Sequence, residues 1–139
     1  IASRPVKLGG KRLLDGGVSD PIPVKWMLSR GYEKNVVVLT RDVKYRKKAN
    51  PKMQLFLKAV LHKYPAFLKD LEERHIHYNE TLEELASLEK EGRVHIIRPS
   101  SPIQAAMIER DESNLERIYQ TGRADMKKDL EKLKAYLDS

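Results

Sequence analysis

Glycine and proline divide this chain into short apolar stretches with distinct spacings. Val6–Leu8 and Arg12–Leu14 flank Gly9-Gly10, which predicts a β-hairpin. Residues 15–21 read as a loop. Pro23 ahead of Val24, Trp26, Met27 and Leu28, with Gly31 behind them, predicts a short helix. Asn35–Thr40 is a continuous apolar run of strand length, typical of buried parallel strands in α/β proteins. A basic loop follows over 41–51. Met53, Phe56, Leu57, Val60 and Leu61 then recur at helical spacing over 52–63. Pro65 interrupts that pattern, and Phe67, Leu68 and Leu71 restart it. Leu82, Leu85 and Leu88 predict a separate helix over Thr81–Glu91, stopped by Gly92. Val94, Ile96 and Ile97 mark a second apolar strand within Arg93–Arg98. Two closing helices are expected at 111–121 and 123–137, parted by Gly122.

Strands alternating with helices predict an α/β domain, with helices packed on a sheet and the two apolar strands as parallel neighbours. Such strands need partners on both sides, and this chain has few to offer. The rest of the sheet is expected upstream. The start at Ile1, without an initiator methionine, fits a fragment of a longer protein.

Composition narrows the chemistry. The 139 residues fit one domain or part of one. With no cysteine, disulfides, thiolate metal sites and cysteine nucleophiles are excluded, and a cytosolic or otherwise reducing setting fits. The longest apolar run, Val36–Leu39, is far below the ~20 residues that cross a bilayer. The net charge of +7 is uneven. Residues 1–69 carry 16 Lys and Arg against 4 Asp and Glu; residues 70–108 carry 4 against 8, and residues 109–139 carry 7 against 8. The basic part could attract lipid headgroups or nucleic acid, or form a solvated face.

Asp15 is the leading chemical candidate. A carboxylate followed by Gly16 and Gly17, at the end of a strand, can take a proton from a hydroxyl nucleophile or simply cap a turn. Ser19, Ser29, Ser100 and Ser101 are the available serines of interest, and none lies in Gly-x-Ser-x-Gly. His75 and His77 are two apart, whereas a helical zinc pair sits four apart, so His62, His75 and His77 read as surface or helix-end residues. His95, inside an apolar strand, reads as a packed or edge residue. Arg41, Lys44, Arg46, Lys47, Lys48 and Lys52 surround Tyr45 in the basic loop. One aromatic is thin support for gripping single-stranded nucleic acid; an anionic membrane surface fits better, and a solvated loop is the simplest reading of all.

The run Lys11-Arg12-Leu13-Leu14-Asp15-Gly16-Gly17-Val18-Ser19-Asp20-Pro21-Ile22-Pro23-Val24 resembles the aspartate block of bacterial patatin-like phospholipases. Similar blocks follow in order: Asn35–Thr40, Tyr45–Lys48, Tyr78–Leu82, Ile96–Ser100 and the helical tail through Tyr119 and Tyr136-Leu137. The resemblance implies the C-terminal part of an α/β/α sandwich over residues 1–100, with a helical extension over 101–139 packed on it. It implies lipid degradation by a Ser–Asp dyad with no cofactor and no metal. Asp15 would be the dyad aspartate, supported by Gly16 and Gly17. The serine and the Gly-rich oxyanion loop are absent from this sequence and would lie in an N-terminal half. The expected substrate is a phospholipid or other acyl ester. The expected setting is cytoplasmic, with contact at an anionic membrane and no nucleic-acid partner. The alternative is a non-catalytic basic α/β module acting on anionic surfaces or nucleic acid.

Overall fold

The computed structural model describes residues 6–106 and 109–139; Ile1, read above as a cut end, lies outside them. The elements are β1 (Val6–Leu8), β2 (Lys11–Leu13), a 3₁₀ turn (Gly16–Val18), α1 (Val24–Ser29), β3 (Asn35–Val38), α2 (Pro51–Leu61), α3 (Pro65–Lys90), β4 (Val94–Ile97) and α4 (Glu112–Asp138). This is an α/β chain of mixed helix and small sheet, ending in a long helix. The strands form two separate two-stranded sheets, one antiparallel hairpin and one parallel pair.

Two compact units divide the chain. The first contains the described residues up to Pro23 together with Lys47–Glu83. Its hairpin pairs Val6 with Leu13 and Leu8 with Lys11, and Gly9 and Gly10 turn it with φ of 55° and 75°. Helix α2 begins where Asn50 accepts the Met53 N–H through its side chain and Pro51 takes the first turn. None of the described residues of this unit is buried, while Leu8, Phe56 and Val60 stand well exposed.

The second unit contains Val24–Arg46 and Glu84–Ser139. It holds the buried side chains Val24, Leu39, Leu85, Leu88, Val94 and Ile96. Strands β3 and β4 run parallel, with Asn35 opposite Val94 and Val38 opposite Ile97. Val94 and Ile96 are buried, while Val36 and Val38 on β3 are exposed. The expected neighbouring parallel strands are therefore present; β4 buries one face through Val94 and Ile96, whereas on β3 Val36 and Val38 stay exposed.

Helix α4 is tied to this sheet by polar contacts. The Tyr136 hydroxyl accepts the Asn35 N–H at 2.8 Å and lies 3.0 Å from the Arg93 carbonyl, to which it can donate. His95 stacks on the Tyr136 ring, with centroids 5.5 Å apart, and its Nε2 meets Asp129 Oδ2 at 2.5 Å. Asn35 itself is buried, and its side-chain amide donates to the Tyr32 carbonyl. Each strand start thus has its polar groups satisfied by the helix or the preceding turn.

Two expected breaks are absent. The restart at Pro65 is present, but the helix that begins there runs on through Thr81 to Lys90 without a second start, and Gly122 does not part α4. Pro65 occupies the first helical position, where its missing N–H costs nothing. Asn79 and Thr81 do not stop the helix: Asn79 bonds the Lys47 backbone, and the Thr81 hydroxyl donates back to the His77 carbonyl. Gly122 keeps a negative φ, and a glycine inside a helix costs only about 1 kcal/mol, less than a 27-residue helix loses by splitting. Tyr136→Phe, which keeps the ring and deletes the hydroxyl, is expected to destabilise the fold by about 1–3 kcal/mol, measured by urea unfolding, because the Asn35 N–H loses its best acceptor.

Candidate functional site

The turn after β2 is built around Asp15. Its backbone is extended and its Oδ1 accepts the Gly17 N–H at 2.9 Å, capping the 3₁₀ turn. The Asp15 carbonyl accepts the Val18 N–H, and the Gly16 carbonyl accepts the Asp20 N–H. Gly16 and Gly17 do not adopt positive φ, so the turn does not depend on left-handed backbone. A Cβ at Gly17 would lie 3.4 Å from Asp15 Oδ1, an ordinary contact distance. Arg74 on α3 donates from Nε to the Gly17 carbonyl at 2.9 Å and holds the turn from 57 residues away.

Asp15 is exposed and lines an open cleft of about 260 Å³. The apolar wall is made by Leu13, Leu14, Val18, Leu61 and Phe67, and the polar wall by Arg12, Asp15, Ser19 and Tyr64. Arg12 donates to the Tyr64 hydroxyl and its guanidinium stands 6.0 Å from the centre of that ring. The hairpin, α2 and the start of α3 thus supply one carboxylate, one cation and an apolar trough. Clefts of this make-up orient ligands that have an apolar body and a polar end.

The other sequence candidates take structural places. Ser19 shares the cleft with Asp15, yet among the described residues its hydroxyl makes no hydrogen bond with that carboxylate, the contact an activated serine requires. The Ser29 hydroxyl donates to the Trp26 carbonyl. Ser100 gives its N–H to Asp125, which holds that carboxyl below the usual aspartate range; Ser101 is exposed. His62 and His75 each donate through Nδ1 to a backbone carbonyl three residues back. His95 is the packed residue the strand pattern implied. Among the described residues no three His, Asp or Glu side chains converge as metal ligands. No helix among them is long and apolar enough to cross a membrane.

A family model described as a domain of unknown function, DUF6363, matches residues 64–138. The chain belongs to the DUF6363 family. No curated protein and no solved structure matches it. The DUF6363 region begins at Tyr64, on the polar wall of the cleft, and includes α3, β4 and α4; Asp15 lies ahead of it. Within the region, Tyr64, Phe67 and Arg74 reach the Asp15 turn and its cleft, and nothing in their sequence surroundings marks them for it.

His77 shows the clearest electrostatic effect on α3. Its ring lies between Glu80 and Glu73, at 3.2 and 3.5 Å, and the bond to Glu80 above all raises its pKa over the ordinary imidazole value. A raised value means that the pair stabilises the fold fully below the unfolded pKa, and that this contribution is lost as pH rises through the folded one. Titration followed by NMR is expected to place His77 above about 6.5, and Glu80→Gln is expected to lower it. Substituting Asp15 by Ala is expected to remove the acceptor of the Gly17 N–H, seen as faster amide exchange at Gly17.

Proposed function

We propose that this chain supplies the acid–base aspartate of a carboxylic ester hydrolase of the patatin-like type, and that Asp15 is that aspartate. One observation carries the reading: an exposed carboxylate, fixed by one oxygen to a backbone N–H, stands on a strand-end turn beside an apolar cleft. The fixed oxygen orients the group, and no hydrogen bond within the described residues occupies the other. The order of sequence blocks that resemble bacterial patatin-like phospholipases points the same way.

The chemistry follows from those parts. A serine outside this sequence loses its hydroxyl proton to Asp15 as its oxygen attacks the ester carbonyl carbon. The tetrahedral intermediate collapses, and the departing alkoxide takes the proton. Water then gives a proton to Asp15 while attacking the acyl-enzyme; as the acid leaves, the serine oxygen takes that proton from Asp15 and both groups are restored. The apolar trough beside Asp15 suits an acyl chain. In this reading the chain is the C-terminal part of an α/β/α sandwich in a cytoplasmic enzyme, and the acyl ester is a lipid.

Two measurements test it. In the protein that also carries the serine, Asp15→Asn is expected to cut hydrolysis of a short p-nitrophenyl ester by roughly 10²–10⁴-fold. Folding should be preserved, because the amide oxygen can still accept the Gly17 N–H. The 139-residue chain by itself is expected to be inactive on that ester. Asp15-dependent turnover by this chain alone would mean that the nucleophile lies within it, with Ser19 the first residue to replace.

A further inference from the structure

The segment after β3 gathers three cations around one apolar side chain. Arg41, Lys44 and Arg46 are all exposed, and Val43 among them is 60% exposed. Asp42, the one acid between Thr40 and Asn50, is used inside the turn. Its Oδ1 accepts the Lys44 N–H at 2.9 Å and its carbonyl accepts the Tyr45 N–H at 3.2 Å. The guanidinium of Arg46 donates to the Val43 and Tyr45 carbonyls at 3.1 and 2.8 Å. Arg41 donates to the Ile103 carbonyl at 3.3 Å and lies 5.1 Å from the centre of the Tyr45 ring.

These contacts position the cations without neutralising them. Among the described residues, none of the salt bridges engages Arg41, Lys44 or Arg46. The two guanidiniums are pre-ordered by neutral carbonyls, so little side-chain freedom is left to lose when an anion arrives. The apolar tip distinguishes the kinds of anionic partner. A single strand of nucleic acid needs an open aromatic face for its bases, and here Arg41 lies over Tyr45. An exposed aliphatic side chain between cations instead matches the boundary between lipid headgroups and acyl chains.

We propose that residues 41–46 form a contact site for an anionic lipid surface, with Arg41, Lys44 and Arg46 meeting headgroup phosphates and carboxylates while Val43 enters the interface. This does not depend on the hydrolase reading, because it needs no catalytic group. Each cation close to such a surface contributes roughly fivefold to partitioning.

Sedimentation with vesicles tests the site. The chain is expected to bind mixed phosphatidylcholine–phosphatidylserine vesicles and not pure phosphatidylcholine ones. Binding should weaken with salt, as the screening length falls from about 10 Å at 0.1 M to about 3 Å at 1 M. Lys44→Glu changes the local charge by two and is expected to lower partitioning roughly 25-fold. The Lys44 ammonium makes no bond among the described residues, so the fold should survive, as far-UV circular dichroism would verify. Arg46→Lys keeps the charge and should bind like the parent, whereas Val43→Asp should weaken binding. Equal binding to the neutral vesicles, or parental binding by Lys44→Glu, would overturn the proposal. Tighter binding to a single-stranded oligonucleotide than to the anionic vesicles would also overturn it and give the segment to nucleic acid.

Discussion

The hydroxyl of Tyr136 is the joint on which the second unit depends. Two parallel strands of four residues cannot stand alone in water, and among the described residues their outer edges have no further strand. A helix 27 residues long closes one face of β4, but its contacts there are largely polar. The phenol group reaches both strand starts at once, through the Asn35 N–H and the Arg93 carbonyl. His95 stacks on the ring, and Asp129 holds the imidazole from an earlier part of the same helix. Lys34 adds a last tie, from Nζ to the Leu137 carbonyl and the Ser139 hydroxyl. Directional bonds of this kind fix where a helix sits along a strand, which non-directional apolar contact does less well.

The first unit shows the opposite balance. Its hairpin and helices are locally well formed, with a two-glycine turn, an Asn50 cap and an Arg74 strut, yet none of its described residues is buried. Apolar side chains left in the open at this density mark surfaces that meet something else. In the proposed hydrolase the Asp15 cleft is such a surface, because a base on one wall has work only when a nucleophile and an ester reach it. The exposed carboxylate and the apolar trough are then two halves of one requirement: water-accessible chemistry beside a water-excluding chain site.

How much could be read from residue order varied with the range of the interaction. The hairpin, α1, α2 and both apolar strands follow from local pattern, and their bounds shift by only a few residues. The parallel pairing of β3 with β4 also followed, because two short apolar runs in an α/β order have few other places to go. The expected breaks at Thr81 and Gly122 failed for a shared reason. Punctuation residues express local preference, and a helix held at both ends by other contacts overrides a preference worth about 1 kcal/mol. β3 is the more open of the two strands, with Val36 and Val38 exposed, because a sheet of two strands has too little area to be enclosed.

The sequence alone determined the chemistry available at the site: an aspartate before two glycines, no cysteine, no serine in a nucleophile turn, and a basic first half. These depend on residue identity and near neighbours, which order along the chain displays directly. Tertiary structure decided which residues that chemistry meets. Arg12, Tyr64 and Arg74 come to the Asp15 turn from up to 57 residues away, and Tyr136 reaches Asn35 across 101. Such contacts leave no local signal, because a tyrosine or arginine on a helix looks the same in sequence whether it faces water or a distant strand. Only the fold, by choosing which helix face turns inward, gives those side chains a role.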